Sequence, residues 1–202
     1  MANYNLQTKE IECKVVYYGP GRGGKTTNLE QIYATQKKHV TGKMTSIDTE
    51  GDRTLFFDFL PMNLGQIKGC NVRVQLFTVP GQVKYAKTRK IVLKGVDGIV
   101  FVADSLEIRR AKNMESLKDL QRNLKDYGQN IFKIPLVLQF NKRDLADEGL
   151  PIMSVEQMEK DLNRQLKVPT FTASAVKGIG VTKTLQQCLA LTLVALKRAS
   201  QW

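Results

Sequence analysis

The sequence predicts a three-layer, doubly wound α/β fold. Its sheet is open, mostly parallel and six-stranded, with one antiparallel edge strand and helices on both faces. Three observations carry this. Strand-like and helix-like periodicities alternate along nearly the whole chain. Two continuous apolar runs, residues 98–104 (Gly-Ile-Val-Phe-Val-Ala-Asp) and 135–140 (Pro-Leu-Val-Leu-Gln-Phe), have the composition of strands covered on both sides. A glycine-rich turn, residues 19–26, separates the first strand pattern from the first helix pattern.

The elements follow in order. Residues 11–18 form the first strand and about 24–33 the first helix. Residues 36–53 show neither periodicity, and a polar stretch of that length inside a domain reads as a functional lid. Residues 54–60, Thr-Leu-Phe-Phe-Asp-Phe-Leu, are an aromatic strand; 61–69 hold turn residues, and 72–79 are the next strand. That short connection is a hairpin, hence the antiparallel edge. A helix over about 83–93 and a turn at 95–98 lead into the buried strand 98–104. Met114, Leu117, Leu120, Leu124 and Tyr127 recur at helical spacing before strand 135–140. Ser154 caps a helix running to Leu166, with Gln157 completing a capping box. Residues 169–173 are a short strand, and Val181, Leu185, Cys188, Leu189, Thr192 and Leu196 stripe the last helix. All 202 residues are expected to form one domain.

Composition narrows the function classes. No apolar run approaches the roughly 18 residues of a membrane span. The polar start without an h-region, Ala2 in place of glycine, and the final Ala-Ser-Gln-Trp give no expectation of a secretory signal, myristoylation or prenylation. Cys13, Cys70 and Cys188 fit neither a zinc site nor a disulfide framework and suit a reducing cytoplasm. The net charge of +12 suggests an acidic partner, a membrane surface or a nucleic acid. Yet the basic residues are spread out, and no recognition helix or aromatic RNA motif accompanies them. No nucleic-acid partner is expected; weak electrostatic membrane association stays open. Lys84, Lys87, Arg89, Lys90 and Lys94 share one helix, as a docking surface or as a solvated face.

Residues 19–26 read Gly-Pro-Gly-Arg-Gly-Gly-Lys-Thr, a full G-x-x-x-x-G-K-[ST] pattern in strand–turn–helix context. Such a turn points backbone N–H groups at a phosphate chain, and the following helix adds its positive end. Gly19, Gly21, Arg22, Gly23 and Gly24 are the candidate cradle, with Thr27 beside it. Lys25 reaches the β and γ phosphates, and the Thr26 hydroxyl can ligate Mg²⁺. The alternative is a flexible glycine turn beside a solvated lysine. Asn141-Lys142-Arg143-Asp144 follows the strand ending at Phe140, at the mouth of the same sheet. The Asp144 carboxylate can accept from the adjacent N1–H and N2–H₂ donors that guanine carries and adenine lacks. Asn141 would brace loops and Lys142 lie along the base plane. Ala173, Ser174 and Ala175 are candidates to turn a backbone N–H to the guanine oxygen.

Together these stretches resemble a Ras-like small GTPase. Val16-Tyr-Tyr-Gly-Pro-Gly21, Arg53-Thr-Leu-Phe-Phe-Asp-Phe-Leu-Pro61, Thr78-Val-Pro-Gly-Gln82, Gly95-Val-Asp-Gly-Ile-Val-Phe-Val-Ala-Asp104 and Asn141-Lys-Arg-Asp-Leu145 are similar to one bacterial branch, the MglA family of cell-polarity GTPases. The resemblance covers nearly the whole chain. It implies GTP/GDP and Mg²⁺ as ligands, and a nucleotide-dependent switch in cell polarity or motility, recruited to cell poles. It also implies a homodimeric, roadblock-fold, MglB-like activating partner, effectors that read the switch regions, and a strand that slides in register.

GTP hydrolysis needs positioned water and stabilised phosphoryl charge more than covalent chemistry. Gln82 is the candidate to orient water, and the Gly81 N–H to contact the γ phosphate. Thr54 is expected to close onto Mg²⁺. Arg53 is expected to act as an arginine finger in cis, an element worth about 10³–10⁵ in rate; its alternative is a solvated loop arginine. Ordinary small GTPases carry Asp where this chain has Thr78. Asp58, the lone charge in an apolar strand, is a candidate replacement, with a solvated edge carboxylate as the favoured alternative. Arg22 is unusual inside such a loop. Arg22 and Thr78 keep a GTP-binding scaffold with negligible hydrolysis in view. A P-loop kinase or ATPase is opposed by Asn141–Asp144.

Overall fold

The structure is a computed structural model that describes residues 3–5, 9–48, 56–67, 69–82 and 85–200. An eight-stranded sheet carries helices on both faces. Its strands are β1 (Asn3–Asn5), β2 (Glu10–Tyr18), β3 (Thr45–Asp48), β4 (Phe56–Ile67), β5 (Cys70–Thr78), β6 (Gly98–Asp104), β7 (Leu136–Asn141) and β8 (Thr170–Thr172). The helices are α1 (Lys25–Thr35), α2 (Ala86–Leu93), α3 (Arg110–Asp126), α4 (Val155–Leu162) and α5 (Val181–Ser200). The main order is β3-β4-β5-β2-β6-β7-β8, and β1 pairs with the start of β2. Strands β5, β2, β6, β7 and β8 run parallel; β1–β2, β3–β4 and β4–β5 are antiparallel.

Alternation along β2 explains both layers. Ile11, Cys13, Val15 and Tyr17 point to one face, where Leu29 and Ile32 of α1 and Val181, Leu185 and Cys188 of α5 cover them. Val16 and Tyr18 point to the other, under Val92 and Leu93 of α2, Leu120 and Leu124 of α3, and Met158 and Leu162 of α4. In α1 the buried positions are 25, 28, 29 and 32, the i, i+3, i+4, i+7 stripe of an amphipathic helix. Each large apolar side chain buried completely, such as Phe101 or Phe140, contributes about 1.5–3 kcal/mol.

The sheet has eight strands where six were expected, β1 and β3 being the additions, and three antiparallel pairings in place of one. Three local expectations change as well. Residues 61–69 are not a turn: β4 continues to Ile67, leaving only 68–69 before β5. The strand tolerates Pro61 because its carbonyl accepts from Thr41 N–H on the outer side, so the missing N–H also faces that edge. The stretch 36–53 is not wholly irregular either. Lys37–His39 make a helical turn and β3 pairs with β4, although its Thr-Ser-Ile-Asp sequence carries no apolar alternation. Finally, α4 ends at Leu162, short of Leu166. The Asn163 side chain accepts from Val168 N–H and donates to Val168 C=O, both at 2.9 Å, which turns the chain away. Ser154 does cap it, accepting from Gln157 N–H at 3.1 Å, but the Gln157 amide donates to Asp161 instead of returning to complete the box.

Candidate functional site

The carboxyl ends of β2, β6 and β7 meet on either side of the point where the strand order reverses, and a cavity of about 1470 Å³ opens there. Gly21, Arg22, Gly23, Gly24, Lys25, Thr26, Thr27, Gly81, Gln82, Asn141, Lys142, Asp144 and Ala175 all line it. Two glycines are dictated by packing. A Cβ on Gly19 (φ +143) would lie 2.2 Å from Val102 C=O, and one on Gly24 (φ +95) 2.2 Å from Asn141 Nδ2. Arg22 also has a left-handed φ, +62, and its side chain is exposed. Its backbone thus sits where glycine is the less strained residue.

Lys25 is buried, and its Nζ donates to the Gly19 and Pro20 carbonyls at 3.0 and 2.7 Å. Burial foremost, then the nearby Arg89 charge, pushes its ammonium down to about 7; Asp58 opposes the shift and Arg109 adds to it. A buried ammonium at the head of a helix is a site tuned for anions.

Asn141 is 1% exposed and braces two loops. Its Nδ2 donates to Gly23 C=O at 2.9 Å, and its Oδ1 accepts from Ala175 N–H at 2.8 Å. The amides of residues 173–175, the candidates to meet the guanine oxygen, have partners within the protein. Ala173 N–H donates to Phe140 C=O, Ser174 N–H to Ile179 C=O and Ala175 N–H to Asn141, so these amides are engaged within the protein. Ser174 lines a separate small cavity instead. The Lys142 ammonium is held by Asp104 Oδ2 at 2.8 Å, at the floor.

Asp58 departs most from the reading as a solvated edge carboxylate. It is 2% exposed. It accepts from Thr26 Oγ at 2.7 Å, Thr78 Oγ at 2.7 Å and Ser46 Oγ at 2.8 Å, while its own N–H donates to Thr78 Oγ at 2.9 Å. The position that lost a carboxylate, Thr78, therefore touches the carboxylate supplied from the neighbouring strand. No group of three His, Cys, Asp or Glu side chains among the described residues is placed to hold a metal. The Thr26 hydroxyl, bonded to the Asp58 carboxylate, is a hard oxygen of the kind a magnesium ion takes as a ligand.

Arg53 and Thr54 lie outside the described residues. So does Lys84 of the basic helix cluster; of the rest, Lys87 and Lys94 are exposed and Lys90 is half-buried. Arg89 is buried, and Lys90 pairs with Asp126 at 2.8 Å. The sequence reading also missed Arg109, whose Nη2 donates to Gly21 C=O at 2.6 Å from the turn after β6. The signal available was Asp104, a carboxylate closing an apolar strand, which is fully buried between Arg109 and Lys142.

The amino-acid sequence has relatives among known proteins. The profile of the ADP-ribosylation factor family matches residues 1–192. The chain belongs to that family of Ras-like small GTPases. It is 50% identical over 198 residues to the mutual gliding-motility protein MglA of Myxococcus xanthus, covering 98% of this chain and 99% of the relative. It is 27% identical over 185 residues to ADP-ribosylation factor-like protein 6 of Caenorhabditis elegans (91% and 87% covered). With human ADP-ribosylation factor-like protein 4C the identity is 26% over 192 residues (93% and 90%). Among the described residues no helix is long and apolar enough to cross a membrane.

Proposed function

We propose that the chain, as one G domain over residues 1–202, binds and hydrolyses GTP and works as a nucleotide-dependent switch in bacterial gliding motility or cell polarity. The observation that carries this is the Asn141 side chain, bonded at once to the Gly23 carbonyl of the phosphate loop and to the Ala175 amide of the last loop. It ties a triphosphate cradle to a base-reading Asp144 across one cavity.

Gly19, Gly21, Arg22, Gly23, Gly24, Lys25 and Thr27 hold phosphate, and Asp144 selects guanine by accepting two adjacent N–H donors. Val176, exposed on the rim beyond Ala175, replaces the engaged amides as the backbone neighbour of the base. Magnesium is held by Thr26 and Thr54, and Asp58 supplies the carboxylate charge that Thr78 lacks. When bound, the ion neutralises charge on the phosphate oxygens. Gln82 orients water, Gly81 N–H meets the γ phosphate, and Arg53 adds positive charge as the phosphoryl group departs. Gliding motility is read from the M. xanthus relative's name, and a roadblock-fold MglB-like dimer is the activating partner that suits it. The protein works in the cytoplasm and is drawn to cell poles.

The test is nucleotide identity. The purified protein with magnesium should bind fluorescent GDP and be competed by GTP but not ATP, and it should release phosphate slowly from GTP. Indifference to guanine nucleotides at millimolar levels would sink the proposal.

A further inference from the structure

Arg89 lies on α2, outside every role assigned above, yet it is one of the few buried charges of the fold. Its Nε donates to Asp119 Oδ2 of α3 at 2.8 Å. Its Nη1 donates to two backbone carbonyls, Pro80 at 3.2 Å and Gln82 at 2.6 Å. Asp119 is itself held. The Tyr18 hydroxyl donates to the same Oδ2 at 2.5 Å, and Asn123 Nδ2 donates to it at 3.3 Å and to Tyr18 Oη at 3.0 Å. Tyr18 is fully buried and is the residue before Gly19. One hydrogen-bonded chain therefore links the base of the phosphate loop, α3 and the residue 80–82 loop.

The two held carbonyls flank Gly81. A trans peptide is planar, so fixing the Pro80 carbonyl fixes the Gly81 N–H on the opposite side of the same plane. The Gln82 carbonyl fixes the next plane but one. Between them, Gly81 is pressed against the phosphate loop: a Cβ there would lie 2.1 Å from Gly21 N. A guanidinium suits this task, because it donates along several fixed directions at once, and a lysine ammonium on a flexible stem does not.

We propose that Arg89, anchored by Asp119, is a positioning residue for GTP hydrolysis. It orients the Gly81 N–H and the Gln82 backbone toward the γ-phosphate position, and Tyr18 makes that orientation depend on the seat of the phosphate loop. The proposal rests on the assignment of Gly81 and Gln82 made above. GDP, which has no γ phosphate, does not draw on this loop.

The variants are Arg89→Lys and Asp119→Asn, which keep bulk and polarity, with Gln82→Ala as reference. Each protein is measured for fluorescent GDP affinity, for single-turnover hydrolysis of preloaded GTP, and for the backbone amide NMR resonances of Gly81 and Gln82 in the GDP-bound state. Arg89→Lys and Asp119→Asn should lose roughly 10- to 100-fold in hydrolysis. Both should keep GDP affinity within about twofold, on the expectation that GDP does not touch the loop, and both should shift the two amide resonances. Hydrolysis within twofold of the native protein in both variants would overturn the proposal. So would a loss of GDP affinity as large as the loss of hydrolysis, which would mark the network as merely structural. If Gln82→Ala hydrolyses normally while Arg89→Lys still loses hydrolysis and shifts the two amide resonances, the assignment of Gln82 fails and the positioning of the loop stands.

Discussion

Replacing Asp58 with asparagine removes one charge from a buried site and leaves its shape. Three hydroxyls, those of Thr26, Ser46 and Thr78, donate to the carboxylate within 2.8 Å. Hydrogen bonds to a charged group contribute about 1.5–3 kcal/mol each, and asparagine keeps one acceptor oxygen while turning an NH₂ toward a hydroxyl. The net loss of stability is therefore about 2 kcal/mol, a fall in melting temperature of roughly 4–8 °C for a chain of this size. The effect on metal is the sharper one. Loss of a group that orients a metal ligand costs about 10–100-fold in metal affinity. Fluorescent GDP release, timed with magnesium and with EDTA, reads it. In the native protein EDTA should speed release greatly. In Asp58→Asn, release with magnesium should already be fast, so the EDTA-to-magnesium ratio shrinks by roughly 10–100-fold. Adding Thr78→Asp to that variant returns a carboxylate from the adjacent strand and should restore the ratio. A native ratio in Asp58→Asn would refute the assignment, since no charge would then have been lost from the metal.

Other outcomes follow from the same cleft. The Lys25 ammonium, pushed down to about 7 from an ordinary 10.5, regains its proton beside a polyphosphate. Nucleotide binding near pH 8.5 should therefore take up about one proton, visible as a dependence of binding heat on buffer ionisation. By the same linkage, unfolding of the nucleotide-free protein binds protons between the two values, so its stability rises with pH across that window. Asp144→Ala should weaken GDP roughly 10²–10³-fold by losing two charged hydrogen bonds and leave the feeble binding of ADP unchanged, checked by competition. Gly24→Ala, at φ +95 with Asn141 Nδ2 in the way, should lose GDP binding and melt lower by calorimetry.

Most of the fold was legible because its signals are local. Strand 98–104 needs no partner to be recognised: seven residues, all buried, read as a run. The phosphate loop is legible for a similar reason, since its glycines, lysine and threonine are contiguous. What escaped was decided by tertiary contact. Strand β3 opens on the exposed polar residues Thr45 and Ser46 and exists because β4 offers it an edge. Pro61 reads as a breaker until its N is seen to face outward. Arg89 looks like one more lysine-like charge on a basic helix, and Asp119, 30 residues on, together with the Pro80 and Gln82 carbonyls holds it inward. The amides of 173–175 are bonded to Phe140, Ile179 and Asn141, partners that the local sequence does not announce.

Asp58 shows why the missing carboxylate at position 78 is not decay. In antiparallel pairing Phe59 faces Phe77, with ring centroids 4.9 Å apart, which sets Asp58 beside Thr78. Side chains alternate along a strand, so a slip of one residue would carry Asp58 to the opposite face of the sheet. The charge near Thr26 thus depends on the register of β4, whereas an aspartate at position 78 would depend only on β5, locked between β4 and β2. Moving the carboxylate one strand outward joins the metal's electrostatics to the pairing of the strand that follows the lid. An ordinary D-x-x-G arrangement separates the two; with magnesium held as proposed, nucleotide state and β4 register would share one hydroxyl–carboxylate cluster in this chain.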